Sequence, residues 1–398
     1  MPNSRDLIES RDMTDSGNDL IETTWEPSVQ PPESPKRRTD PWTLVLGILG
    51  GVLLGTAVTF IILGYMGVIQ EPVPPTTTTV PPGPILTAPP ATGPPPTLGD
   101  VITAASVAAR VIPSTVFIQT SGFLTGASGS GVVFGDDGHI VTNHHVIAGA
   151  RTLWVVFADG ARYPARIVGS DPLTDLAVLQ VDREDLSPID LGISAHLAIG
   201  QPSIAVGSPL GLDGGPTVTA GIVSALNRSL AIDRGETLYG LVQTDAPIAP
   251  GSSGGALVDA NARLIGITTA IAVSSVGAEG MGFAIPVDMM LGVVNDLISQ
   301  SRVSHARLGL EGTTAWAASG SAEYPVGVGV TRILNESAFA AAGGQINDVI
   351  LEIAGTRVNT LDDMMAVLRM LRAGQEAEVR ISRATSDQTL SVILGSLN

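Results

Sequence analysis

The stretch Gly251-Ser252-Ser253-Gly254-Gly255, followed by the apolar run Ala256-Leu257-Val258, decides how the chain is read. A serine hydroxyl inside a run of small residues has the surroundings a nucleophile needs. Glycines let the backbone turn sharply and bring N–H groups close to a substrate carbonyl, where they stabilise an oxyanion. Ser-Gly runs also make ordinary turns. The stretch therefore gains chemical meaning only through a base, an orienting acid and their order along the chain.

Those partners lie upstream. Two of the five histidines sit in Ile140-Val141-Thr142-Asn143-His144-His145-Val146, where a strand runs into a short turn. Further on, Asp171-Pro172-Leu173-Thr174-Asp175 leads into the apolar Leu176-Ala177-Val178-Leu179. The order is His, Asp, Ser. Gly251–Gly255 also satisfies G-x-S-x-G, but in a nucleophile elbow the serine comes first and a helix follows it. Here the acid and histidine precede it, and Asp259-Ala260-Asn261-Ala262 has the composition of a tight turn between strands. His–Asp–Ser order in a β-rich domain is that of a chymotrypsin-like double β-barrel. The chain has no HExxH, P-loop or dinucleotide fingerprint, so neither a metal nor a cofactor is expected.

Composition sets the outer bounds. The 398 residues give room for two or three domains, and a formal net charge of −17 argues against a nucleic-acid partner. The absence of cysteine removes disulfides and thiolate metal sites. Residues 1–40 are polar and acidic with no apolar period, which predicts a disordered tail. No charge then occurs between Asp40 and Glu71, and residues 41–69 are predicted to form a transmembrane helix. As a helix Trp42–Ile69 would span about 42 Å, more than the roughly 30 Å hydrocarbon core of a bilayer. Lys36, Arg37 and Arg38 precede the span, whereas the next basic residue is Arg110. The positive-inside rule then makes the N-terminus cytoplasmic and places the rest outside the membrane. Gly47, Gly51 and Gly55 form a stripe suited to close helix packing. Residues 70–100, rich in proline and threonine, are expected to be an extended spacer.

From residue 101 to 302 short Val/Ile-rich segments alternate with Gly and Asp turns. Strands are predicted at Thr115–Gln119, Gly131–Phe134, His139–Thr142, Leu153–Phe157, Ala177–Val181, Ser203–Val206 and Leu264–Ile267, with helices at Val101–Val111 and Val287–Ser299. Residues 303–398 form a second, small α+β unit. It has strands near Val326–Leu334, Val349–Ile353, Glu376–Ser382 and Thr389–Leu394 and a helix at Leu361–Leu371.

These blocks resemble the HtrA/Deg family of trypsin-like serine proteases with a C-terminal PDZ domain. The likeness rests on Val141–Val146, Asp171–Leu179, Val206-Gly207-Ser208-Pro209-Leu210-Gly211-Leu212, Thr217–Ser224, Gln243-Thr244-Asp245 with Gly251–Gly255, and Gly282-Phe283-Ala284-Ile285-Pro286. The resemblance implies His145 as general base with His144 as its exposed neighbour, Asp175 as orienting acid and Ser253 as nucleophile. Asp171 then serves a turn. The amides of Gly251 and Ser253 would form the oxyanion hole. Relatives often carry Asn where this chain has Ala249 and Ser252. In digestive relatives an acid six residues before the nucleophile selects Arg or Lys; here that position is Pro247. With Ala270 and Ile271 on the expected pocket wall, small aliphatic side chains are the expected substrates. In the PDZ unit Leu308-Gly309-Leu310 matches the carboxylate-binding loop, Arg307 replaces a frequent tyrosine and Asn347 a usual glycine, and Asp362-Asp363 opens the groove helix.

The resemblance implies a membrane-anchored endopeptidase acting outside the cytoplasm on unfolded or damaged proteins, in quality control and stress response. It also implies a PDZ that binds peptide C-termini and regulates activity, and a homo-oligomer, often a trimer. The alternative from another class is a chaperone-like or peptide-sensing scaffold whose protease site is normally inactive.

Overall fold

Short β-branched segments separated by turns bury both faces only by closing on themselves, and the chain does so twice. The computed structural model describes residues 103–122, 127–208, 215–232, 236–269, 280–319, 321–384 and 386–397. The expected tail, membrane span and spacer lie outside them, as do Ala270 and Ile271. Among the described residues no helix is long and apolar enough to cross a membrane.

A first closed barrel is built from β1 (Thr115–Ser121), β2 (Ser128–Val133), β3 (His139–Thr142), β4 (Thr152–Val156), β5 (Arg162–Asp171) and β6 (Leu176–Val181), in the order β1-β2-β3-β6-β5-β4. A second contains β7 (Pro202–Gly207), β8 (Thr217–Ala231), β9 (Thr237–Thr244), β10 (Ala256–Val258), β11 (Leu264–Thr269) and β12 (Gly282–Pro286), in the order β10-β11-β12-β9-β8-β7. All pairings in both barrels are antiparallel. This is the double barrel expected from the order of His, Asp and Ser. One apolar cluster joins the two barrels: Val132, Val141 and Val178 from the first pack with Val206, Leu264 and Ile285 from the second.

Helices close the seam. Helix α1 (Ala104–Val111) begins at a capping box between Thr103 and Ser106 and buries Val107 and Val111. A single turn, α2 (His144–Ile147), follows β3. Helix α3 (Val287–Gln300) buries Met290, Val293, Val294 and Leu297, the i, i+3, i+4, i+7 stripe of a helix lying on a core. It ends where Ser301 turns left-handed at φ 58° and its N–H bonds the Leu297 carbonyl.

The C-terminal unit has β13 (Ala306–Arg307), β14 (Leu310–Ser319), β15 (Ala322–Ile333), α4 (Ala338–Ala341), β16 (Val349–Ile353), β17 (Thr356–Arg357), α5 (Leu361–Met370), β18 (Glu376–Arg383), β19 (Ser386–Ile393) and β20 (Gly395–Ser396). Its main sheet runs β14-β15-β16-β18-β19 and has its own core around Phe339, Ile350, Val379 and Ile381. Helix α5 packs on the β8–β9 hairpin of the second barrel. At that seam Asn227 donates to Asp363, and Ser229 donates to Asp362.

A buried charge cluster ties the two units. His305 Nε2 lies 3.0 and 2.9 Å from the two Asp171 oxygens, with side chains 2% and 7% exposed. Burial pushes the Asp171 carboxyl up, but the His305 ring and the Thr174 hydroxyl outweigh it and leave the pKa below the ordinary value. Arg369 on α5 is buried nearby; desolvation lowers its pKa and the charge of Asp171 opposes the shift. Breaking a buried pair by removing one partner costs about 3–5 kcal/mol. His305→Leu should therefore destabilise the protein by about that amount in urea unfolding at pH 7. The lowered folded pKa means that the contribution of Asp171 is present above the ordinary aspartate range and is lost as pH falls through the folded value. The stability difference between wild type and H305L should thus narrow below about pH 4. A difference unchanged between neutral and acid pH would exclude an ionised Asp171 as the partner of His305.

Candidate active site

Asp175 ends the turn that Asp171 begins. Asp171 Oδ2 accepts the Thr174 N–H at 3.1 Å and the Thr174 hydroxyl, the turn role expected of it, while also holding His305. The turn leaves Asp175 left-handed, at φ 56°, a conformation that Asp tolerates better than most residues. Its carbonyl accepts the His144 N–H at 3.0 Å and Asn143 Nδ2 at 2.9 Å. Its carboxylate, 4% exposed, takes the backbone N–H of His145 at 3.0 Å. The ring Nδ1 of His145 stands 3.0 and 2.8 Å from the same two oxygens. Backbone and ring of one residue are therefore both fixed on one carboxylate, while 36% of the His145 side chain stays open to solvent. A third group approaches from the second barrel: Thr269 Oγ1 lies 3.4 Å from Asp175 Oδ2. His144 is half-buried rather than exposed, and its Nδ1 is buried without a hydrogen-bond partner.

Ser253 lies at the barrel seam, 5% exposed, with its carbonyl accepting the Ser130 N–H at 2.7 Å. The preceding residues form a tight turn, in which the Ser252 N–H bonds the Ala249 carbonyl at 2.9 Å. Pro250 occupies the second position and Gly251, at φ 90°, the third. Proline then a glycine with positive φ is the chemistry of a type II turn. In a type I turn the central peptide would be flipped, and the Gly251 N–H would face the other way. Neither Ala249 nor Ser252 disturbs this geometry. Gly254, at φ 85°, can carry no side chain, because a Cβ would sit 2.2 Å from the Ser130 carbonyl oxygen.

Pro247 lines a cavity of about 80 Å³ together with Ala205, Thr217, Thr219, Ala249 and Thr268. Among the described residues no charged side chain lines it. Ala270 and Ile271 lie outside the described residues. In the C-terminal unit the Leu308 carbonyl accepts from the Phe339 N–H at 3.0 Å and the Ser337 hydroxyl at 3.1 Å. The Gly309 carbonyl accepts the Leu334 N–H at 3.0 Å. A trans peptide points its N–H opposite its carbonyl, so the Gly309 and Leu310 amides face away from those partners. Leu361 at the start of α5 donates its N–H to Thr314 Oγ1 at 3.1 Å, tying helix to β14. Asn347 adopts φ 72°, the conformation for which relatives use glycine, and asparagine is among the few residues that accept it. Arg307 has its Nε buried without a hydrogen-bond partner.

Sequence reading missed Ser130 and Thr268, whose hydroxyls meet the loop, Thr269, whose hydroxyl meets the Asp175 carboxylate, and Thr142, whose hydroxyl holds the Ser130 carbonyl. The one signal was Gly129-Ser130-Gly131, a polar residue between glycines in an apolar strand.

Comparison with known proteins agrees with this geometry. Residues 129–267 match the trypsin-like peptidase domain, and residues 297–394 match the PDZ domain. Serine protease PepD of Mycobacterium tuberculosis is 37% identical over 312 residues, 73% of this chain and 65% of that protein. Protease Do-like 1, chloroplastic, of Arabidopsis thaliana is 37% identical over 284 residues, 67% of this chain and 63% of that protein. The chain thus spans under two thirds of the length of these two relatives. The solved HtrA-type protease AlgW with tripeptide superposes at a TM-score of 0.61 and 35% identity, covering 74% of this chain and 97% of AlgW. The chain belongs to the HtrA-type family of trypsin-like serine endopeptidases that carry a PDZ domain.

Proposed function

We propose that the protein is a serine endopeptidase in which His145, Asp175 and Ser253 form the triad and the amides of Gly251 and Ser253 the oxyanion hole. The observation that carries this reading is the fixing of both the backbone and Nδ1 of His145 on the buried Asp175 carboxylate. With Nδ1–H donated to Asp175, the lone pair of the imidazole is on Nε2, the nitrogen that takes the serine proton. Ser253 Oγ attacks the scissile carbonyl as His145 removes its proton, and the oxyanion forms against the two amides. The imidazolium, stabilised by Asp175, protonates the leaving amine. Water then repeats the sequence on the acyl-enzyme. The type II turn supports an oxyanion hole built at rest and favours this reading over a scaffold with a resting site.

Substrates in this proposal are unfolded or damaged proteins outside the cytoplasm, and the Leu308-Gly309-Leu310 loop takes peptide C-termini that raise activity. AlgW has been solved with a tripeptide and with a decapeptide, and relatives of this chain in Pseudomonas putida and other bacteria are described as probable periplasmic endoproteases. In both respects the present chain is taken to follow them, and a homo-oligomer is part of the same proposal. Turnover of a denatured protein by Ser253→Ala should fall by roughly 10⁵-fold or more, while a C-terminal peptide should accelerate the wild type. Equal turnover by mutant and wild type would end the protease assignment.

The uncharged cavity beside Pro247 supports cleavage after small uncharged residues. A peptide-library digest should show such residues at the cleaved position, and preferred cleavage after Arg or Lys would overturn the assignment. The uncharged run of residues 41–69 supports a single-pass anchor with residues 1–40 cytoplasmic. The full chain expressed in bacteria should stay in the membrane pellet after alkaline carbonate extraction. Its release into the supernatant would exclude the anchor.

A further inference from the structure

Peptide geometry couples the two faces of the Gly251–Gly255 loop. Carbonyl and N–H of one trans peptide point in opposite directions, so whatever holds the carbonyl aims the amide. The Ser252 carbonyl accepts the Thr268 hydroxyl at 2.6 Å and the Gly255 N–H at 3.0 Å. The amide in that peptide belongs to Ser253, and it therefore points away from Thr268. The Gly251 carbonyl accepts the Ser130 hydroxyl at 2.8 Å. That bond fixes the outgoing end of the Pro250-Gly251 turn, whose central peptide carries the Gly251 amide.

Both hydroxyls sit on supports made for this contact. Thr268, 1% exposed on β11, also gives its N–H to the Gly255 carbonyl at 2.9 Å and its carbonyl to the Gly254 N–H at 2.8 Å. Ser130 is fully buried on β2, and its Oγ also accepts the Ser208 N–H at 2.8 Å. Its carbonyl is held by Thr142 Oγ1 at 2.7 Å. The loop is thus gripped by one hydroxyl from each barrel, both on its carbonyl side.

We propose that Thr268 and Ser130 are positioning residues of the oxyanion hole: the Thr268 hydroxyl anchors the Ser252 carbonyl inward, so that the Ser253 amide is presented outward, and the Ser130 hydroxyl holds the Gly251–Ser252 peptide whose N–H closes the turn on Ala249, so that the turn carrying the Gly251 amide keeps its shape. This rests on the assignment of Ser253 and its oxyanion hole above. Valine at 268 keeps the shape of threonine and removes only the hydroxyl, leaving the Ser252 carbonyl free to rotate. Alanine at 130 releases the Gly251 carbonyl and with it the Gly251–Ser252 peptide that closes the turn, so that the turn loosens and its Gly251 amide is held less firmly.

The test compares Thr268→Val, Thr268→Ser, Ser130→Ala and Ser253→Ala in the full chain, by peptide-substrate kinetics, peptide-aldehyde inhibition and thermal unfolding. T268V and S130A should each lower kcat by about 10–100-fold, part of the 10²–10³ that losing a whole oxyanion donor costs. KM should stay within about twofold, since the ground state gains little from the oxyanion donors. Binding of the aldehyde, whose adduct carries an oxyanion, should weaken in parallel with kcat. T268S should recover most of the loss. A T268V kcat within about threefold of wild type would overturn the proposal, as would a loss that T268S leaves unrepaired or that follows the fall in unfolding temperature. If T268V fails to fold, S130A decides by the same criteria of kcat, KM and aldehyde binding. Turnover retained in S253A would overturn the site assignment and the proposal together, whereas an inactive S253A beside a fully active T268V would overturn the proposal alone.

Discussion

The two barrels meet backbone to backbone where the Ser130 N–H bonds the Ser253 carbonyl at 2.7 Å, and the geometry of the site depends on that contact. It requires a chain without side chains at the point of approach, which is why a Cβ on Gly254 would collide with the Ser130 carbonyl oxygen. From Ser130 the support continues through Thr142 into β3, and β3 runs directly into the turn that carries His145. The serine loop and the histidine are therefore braced on one another before any substrate arrives. Each such hydrogen bond adds only about 1 kcal/mol net, but leaving a buried carbonyl unpaired costs about 1–3 kcal/mol. The loop holds its shape because every other arrangement strands a buried acceptor.

The acid is reached from the opposite side. Asp175 stands at the end of a turn whose first residue, Asp171, is gripped by His305 from the segment leading into the PDZ unit. A buried, hydrogen-bonded carboxylate is weak evidence for stability, because its desolvation offsets most of what its partners return. What it does fix is geometry. The Asp171 carboxylate can satisfy the Thr174 N–H and the His305 ring together only when the turn and the segment at residue 305 are both in register. The orientation of Asp175 and the docking of α5 on β8 and β9 are thereby set by one cluster.

How much of this was legible depended on what each residue shows in a linear chain. The strands His139–Thr142 and Val349–Ile353 carry short β-branched apolar runs beside turn residues and were read with their observed bounds. Strands β5, β8 and β14 were not read, and neither were β9 and β12, although those two bury Leu238, Leu241, Val242, Phe283 and Ile285. Residues 162–168 on β5 are at most half-buried, β8 carries Asn227 and Arg228 in its outer half, and β14 is largely solvated. An alternation signal needs one buried face, and these strands bury too little of it. His145, Asp175 and Ser253 could be singled out in the linear chain because motif spacing marks them. Thr268 and Thr269 were not, since threonine is an ordinary strand residue and only its three-dimensional neighbours reveal a task. His305 gave no signal either, because its partner lies 134 residues away in sequence.

The loops at Gly251–Gly255 and at Leu308–Leu310 solve the same electrostatic problem in the same way. Each is proposed to receive a negative oxygen, an oxyanion in one case and a terminal carboxylate in the other. The cavity beside Pro247 is uncharged, and the donors that both loops would offer are backbone amides. In both loops the carbonyls are occupied from within, by Ser130 and Thr268 in one and by Phe339, Ser337 and Leu334 in the other. The Ser252–Ser253 peptide and the two peptides of the PDZ loop then turn the N–H groups of Ser253, Gly309 and Leu310 away from those partners, while the peptide that Ser130 holds gives its Ser252 N–H to the Ala249 carbonyl. An amide aimed this way needs no counter-charge and no titratable group, so its donor strength does not change with pH. It also costs no reorganisation when the negative charge appears. Rigidity of the carbonyl side is thus the quantity on which both sites depend.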